Sequence, residues 1–152
     1  TGFVAMYALH MCYKYGIDIG PVIEKAILHD MEEVITGDIP TTTKYASSEI
    51  TASIKELEAD AAFRISEAVF FGHAYDIWSS SKDIDTDSGA IIAIADAAAV
   101  VHKIKQEVSM GNVRFLEFKS NIMKSLSKKL GIADEKFDDE INNLINLIGD
   151  LK

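Results

Sequence analysis

Ser88-Gly-Ala-Ile-Ile-Ala-Ile-Ala-Asp96-Ala-Ala-Ala-Val-Val-His102 is an apolar run broken, between Ala90 and Val101, by one charge. A surface helix carries its apolar residues on one stripe and a half-buried strand alternates them, whereas this segment is apolar almost all round. It therefore reads as a helix from Ser88 to Met110 lying in the middle of a helical bundle. Asp96 is the anomaly within it. A carboxylate at such a position has lost its water and must be paired, protonated, bound to a metal or turned to a solvent cleft.

The rest of the chain agrees with a helical surround. Proline occurs only at Pro21 and Pro40, and apolar residues recur every three or four positions, which predicts an all-α domain. A first helix runs from the start to about Tyr15, where Gly16 closes it. Pro21 then suits the first turn of a second helix, whose stripe is Val22, Ile23, Ala26 and Ile27 and which extends to about Thr36 before Gly37. Residues 37–43 read as a loop, since proline and three threonines fit a helix poorly. A long helix or pair of helices follows from Ser47 or Ser48 to Gly72. The acidic, serine-rich stretch Ser79 to Asp87 is predicted as a mobile surface loop. Gly111-Asn112 ends the central helix, an amphipathic helix is predicted over Val113 to Leu130, and a last one over Asp134 to Leu151. With no internal repeat, residues 1–152 form one domain.

Composition narrows the function. The chain has 152 residues, 48% hydrophobic and 26% charged, with 15 Lys and Arg against 24 Asp and Glu, a formal net charge of −9. That balance excludes wholesale disorder. The acidic excess argues against a nucleic-acid polymer as partner, because sequence-independent binding needs phosphate neutralisation. Residues 103–129 run the other way, with seven Lys or Arg against Glu107 and Glu117, and read as a solvated face or a subunit contact. The single cysteine, Cys12, can form no internal disulfide and reads as a small core residue in a reducing compartment. No apolar run approaches the roughly 18 residues of a membrane span, and no signal segment opens the sequence. A cytoplasmic protein is expected.

Two places carry chemistry. His29, Asp30 and Glu33 project from neighbouring parts of the second helix, and Asp96 waits on the central one. Imidazole plus carboxylate is a ligand set for a first-row divalent ion, and an unligated carboxylate beside it can serve as a base. On spacing alone Asp30, Glu32 and Glu33 would equally suit a solvated helix face.

The longer block His29-Asp-Met-Glu-Glu33-Val-Ile-Thr-Gly-Asp38-Ile-Pro40-Thr41, followed by Lys44-Tyr45, resembles the signature of the HD-domain metal-dependent phosphohydrolases, in particular the YfbR-like 5'-deoxynucleotidases. Ala95-Asp96-Ala97 and the run Gly111 to Leu116 are similar to the distal aspartate helix of that family, and Val4-Ala5-Met6 to its first metal-site helix. The resemblance implies an HD-domain helical bundle with a metal between the first, second and central helices. His29 and Asp30 match the doublet of metal ligands and Asp96 the distal ligand. Glu33 matches the carboxylate that positions or deprotonates the attacking water, and Asp38 an acid implicated in catalysis or substrate orientation. The family's first histidine would fall one residue before Thr1, so an N-terminal part of the domain is expected to precede this chain; His10, offset and flanked by apolar residues, is no substitute.

Around that block, Lys44 is the local candidate for a phosphate contact and Thr41 for a hydrogen bond to a sugar or phosphate oxygen. His73, Tyr75, Asp76 and Trp78 form a polar and aromatic cluster suited to core packing or to stacking on a base, and His102 reads as a surface or half-buried histidine. The function implied is release of the 5'-phosphate from deoxynucleoside 5'-monophosphates with a divalent ion (Co, Mn, Mg or Zn), by a homo-oligomer. Two alternatives stand beside it, a dNTP triphosphohydrolase and a non-catalytic HD-fold module.

Overall fold

The apolar run around Asp96 does form the central helix. The computed structural model describes residues 1–69, 72–118 and 135–150 and, within them, all side chains but those of residues 41, 117 and 118. Its helices are α1 (Gly2–Tyr15), α2 (Ile19–Leu28), α3 (Glu33–Thr36), α4 (Thr41–Lys44), α5 (Ser48–Val69), α6 (His73–Ser81), α7 (Asp87–Ser109) and α8 (Asp138–Gly149), with 3-10 turns at Val113–Phe118 and Glu135–Phe137. There is no strand among the described residues. The fold is all-α, and among the described residues no helix is long and apolar enough to cross a membrane.

Helix α7 touches α1, α2, α6 and α8. Its residues Ala90, Ile91, Ile92, Ile94, Ala95, Ala97 and Ala98 are all buried, as a helix surrounded on several sides requires. The main core joins these to Val4, Ala8, Met11 and Cys12 of α1, Val22 and Ala26 of α2, and Phe137, Ile141, Leu144 and Ile148 at the α8 end. Phe137 is fully buried and meets Tyr15 edge-on at 5.1 Å. A smaller core of Met31, Ala62, Ala74 and Trp78 lies between α5 and α6. Cys12 is a core residue, as its apolar neighbours predict, and burial pushes its thiol pKa up. His102 is exposed and stacks on Phe3 at 4.7 Å.

Four readings need correction. The second helix does not reach Thr36 but ends at Leu28, and the chain continues through turns bonded three residues back, from Met31 N to Leu28 O and from Glu33 N to Asp30 O. The cause is competition for the last carbonyls: His29 Nδ1 takes Ala26 O at 2.8 Å, and the Lys82 ammonium takes His29 O. The predicted loop at 37–43 contains the start of α4, whose turn closes onto Pro40 O. The predicted mobile stretch 79–87 is helical to Ser81, where the Ser80 and Ser81 hydroxyls donate to carbonyls three residues back, and Thr86 caps α7 by accepting Gly89 N–H at 3.1 Å. The predicted helix from Val113 begins as a 3-10 turn, and its continuation beyond Phe118, with the basic residues there, lies outside the described residues.

Gly89 fixes how the 82–86 connection lies. A Cβ at this position would stand 1.8 Å from the Asp83 carbonyl oxygen, so the connection crosses the first turn of α7 where only glycine fits. Gly89→Ala should destabilise the fold by about 1–3 kcal/mol or more, as overpacking does, measured by urea unfolding. An unchanged midpoint would contradict this close approach.

Helix α8 is pinned to α1 by Glu140, a buried carboxylate that accepts from the Tyr7 hydroxyl at 2.7 Å and from the Lys14 ammonium. Burial raises the pKa of this carboxyl, but Lys14 and Tyr7 outweigh it and the pKa stands below the ordinary value. A carboxylate with a depressed folded pKa contributes stability above its unfolded pKa, and that contribution is lost as the pH falls through the folded one. Thermal unfolding should therefore show a loss of stability from about pH 5 downward, flatter in Glu140→Gln. An acid limb of equal steepness in the variant would assign the sensitivity to other groups.

Candidate metal centre

The turn after α2 presents His29 and Asp30 toward Asp96 on α7. One donor atom from each of the three lies within 4.8 Å of the others. Donors to one first-row ion, at about 2.0–2.2 Å each, stand at most about 4.4 Å apart, so the cluster is close to ligating separation.

His29 is 3% exposed, and its two nitrogens do different things. The Ala26 carbonyl can only accept, so Nδ1 carries a proton and donates it there. Nε2 is buried and lies 2.7 Å from Asp30 Oδ2, its ion-pair partner when the ring is protonated. A buried imidazole nitrogen facing two carboxylates is a donor set that fits a divalent cation. Burial pushes the His29 pKa down, but Asp30, the Ala26 carbonyl and Asp96 outweigh it and the pKa stands above the ordinary value. Burial pushes Asp30 up, and His29 and Lys82 more than reverse this.

Beneath the doublet lies a group that the sequence reading did not single out. Glu32 reads in sequence as part of a possible solvated face, yet it is 3% exposed. Its Oε2 accepts from Trp78 Nε1 at 2.6 Å and its Oε1 from Lys82 Nζ at 3.1 Å. Lys82 Nζ also donates to His29 O, lies 3.9 Å from Asp30 Oδ1, and sits 5.5 Å from the centre of the Trp78 ring. Trp78 is thus a core residue. The Glu and Trp types gave no signal of this pairing, since 46 residues separate them.

Glu33 opens α3 and is exposed. Partial desolvation and the charges of Asp30, Asp38 and Glu32 raise its pKa, with Lys82 opposing. Asp38 is exposed and acts on Glu33 through its charge. The Lys44 ammonium is engaged by Glu58 at 2.6 Å. Thr41 begins α4, and its side chain lies outside the described residues. Of the predicted site residues, the structure brings His29, Asp30 and Asp96 into one cluster with Glu33 and Asp38 at its edge.

A family model described as 5'-deoxynucleotidase YfbR-like matches residues 3–143. The chain belongs to this family. Among curated relatives, the 5'-deoxynucleotidase of Vibrio cholerae is 32% identical over 120 residues, covering 76% of this chain and 62% of the relative. That of Shewanella oneidensis is 35% identical over 106 residues, 67% of this chain and 54% of the relative. The YfbR-like chain thus spans less than two thirds of the length of these relatives. The crystal structure of the PH0347 protein from Pyrococcus horikoshii OT3 superposes with a TM-score of 0.72 at 19% identity, covering 99% of this chain and 80% of that one. This likeness confirms the all-α fold.

Proposed function

We propose that this chain carries the catalytic centre of a metal-dependent 5'-deoxynucleotidase, with His29, Asp30 and Asp96 as metal ligands. The observation that carries the reading is the convergence of one donor atom each from His29, Asp30 and Asp96 within 4.8 Å of one another, with the imidazole buried. The 5'-deoxynucleotidases to which the chain is similar supply the substrate class.

A divalent ion, when bound, supplies Lewis acidity that acidifies water and offsets charge on a phosphoryl oxygen. Glu33 does the proton work. Its carboxylate accepts a proton from water as the oxygen bonds to phosphorus, and the bond from phosphorus to the nucleoside 5'-oxygen breaks. The proton ends on that 5'-oxygen, giving deoxynucleoside and inorganic phosphate. Asp38, charged and adjacent, orients the substrate, and Thr41 opens the turn on which a sugar or phosphate oxygen would lie. Lys44 contributes through the Glu58 pair that fixes α4 to α5 and takes up the ammonium expected at the phosphate. We read the protein as cytoplasmic and homo-oligomeric; exposed Val34, Phe63 and Val69 on α3 and α5 support self-association.

The test is phosphate release by the full-length protein from a panel of dNMPs, NMPs and dNTPs with Co, Mn, Mg or Zn added. Metal-dependent release from dNMPs in preference to NMPs is expected. Release of triphosphate from dNTPs would instead favour a triphosphohydrolase, and no metal-dependent turnover would favour a non-catalytic module.

A further inference from the structure

We propose that Lys82, working with Glu32 and Trp78, is the positioning element of the metal centre: it orients Asp30 for ligation and holds Glu32 away from the metal. The inference rests on the metal-site reading above and extends it to residues outside the ligand set.

Lys82 stands at the C-terminal cap of α6, 53 residues from His29 in sequence. Its ammonium donates to His29 O and to Glu32 Oε1, and it forms an ion pair with Asp30 Oδ1 at 3.9 Å. The first contact holds the turn that begins at the end of α2. The ion pair bears on Asp30 through charge. Asp30 has one oxygen, Oδ2, beside His29 Nε2 and the other, Oδ1, toward Lys82, so the cation fixes which oxygen faces the ligand cluster. Partners of this kind orient ligands and usually matter about 10–100-fold in metal affinity.

Glu32 explains why the cation is locked rather than free to leave. Five carboxylates, Asp30, Glu32, Glu33, Asp38 and Asp96, crowd this end of the fold, and a buried glutamate two residues from Asp30 would compete as a ligand if unpartnered. Both its oxygens are occupied, by Trp78 Nε1 and by Lys82 Nζ. Trp78 also places its ring under the ammonium. Removing Lys82 would leave a buried charge with half its partners and a turn whose first carbonyl is uncapped. Since the Lys82 side chain is still 45% exposed, its loss opens no cavity.

The experiment titrates Mn2+ alone into the full-length protein by calorimetry, and records the visible absorption of the Co2+ form, for the parent, Lys82→Met, Lys82→Arg and Glu32→Gln. We expect Mn2+ affinity to fall about 10–100-fold in Lys82→Met, the Co2+ spectrum to change with it, and Lys82→Arg to restore part of both. Glu32→Gln keeps the shape of the side chain and should weaken binding in the same direction, which keeps the question answerable if Lys82→Met does not fold. Unchanged Mn2+ affinity with a raised KM for dNMP would overturn the proposal and make Lys82 a phosphate contact. Unchanged affinity and KM would also overturn it. Failure of the parent itself to bind Mn2+ would instead strike the metal-site reading.

Discussion

Asp96→Ala should abolish metal-dependent phosphate release, lowering kcat/KM for a dNMP by roughly a thousandfold or more. The residue supplies one of three donor atoms within 4.8 Å of one another, and it is the donor that comes from α7, whereas the other two come from the turn after α2. Without it, the donors this chain supplies are His29 and Asp30 alone, both on one turn, which weakens the hold on an ion. The fold should survive the change. Alanine is the residue on either side of Asp96 in the central helix. Thermal unfolding separates the two effects. A ligand at 100 times its Kd stabilises the folded state by about 2.7 kcal/mol, so added metal should raise the Tm of the parent and leave that of Asp96→Ala where it was. Full turnover in the variant, or an equal rise in Tm, would remove Asp96 from the site.

Glu33→Gln should show the opposite separation. Here kcat should drop about 10²–10⁴-fold, the range for loss of a positioned general base, while metal affinity stays within a few fold of the parent. The isostere keeps the shape of the side chain and its place at the start of α3. The pH profile gives an independent check. The parent should lose kcat on the acid side as the Glu33 carboxylate takes up a proton. That limb should vanish in Glu33→Gln. A collapse of metal affinity in the variant would make Glu33 a ligand instead of a base.

The parts of this fold that are legible in the sequence are those set by local pattern. Helix α7 declares itself because it is apolar on every side, and Asp96 stands out for the same reason. The end of α1 follows from Gly16. The end of α2 is not legible, because it is decided by who takes the Ala26 and His29 carbonyls. One taker is the side chain of His29 itself, and the other is Lys82, hidden in a segment whose serines and aspartates read as loop. Glu32 misleads similarly: three acids in a row of four look solvated, and only the fold brings Trp78 and Lys82 to bury the middle one. At the site, the doublet and the distal aspartate are visible as residue types with a family resemblance, whereas the tautomer of His29 and the hold on Asp30 are tertiary properties.

The central claim is that His29, Asp30 and Asp96 hold one divalent ion. Crystals of the full-length protein grown with Mn2+ or Co2+, with data collected at the absorption edge of that metal, test it directly. We expect one strong anomalous peak about 2.0–2.2 Å from His29 Nε2 and from a carboxylate oxygen of each of Asp30 and Asp96. A peak elsewhere with this cluster empty, under conditions where the protein hydrolyses dNMP, would contradict it.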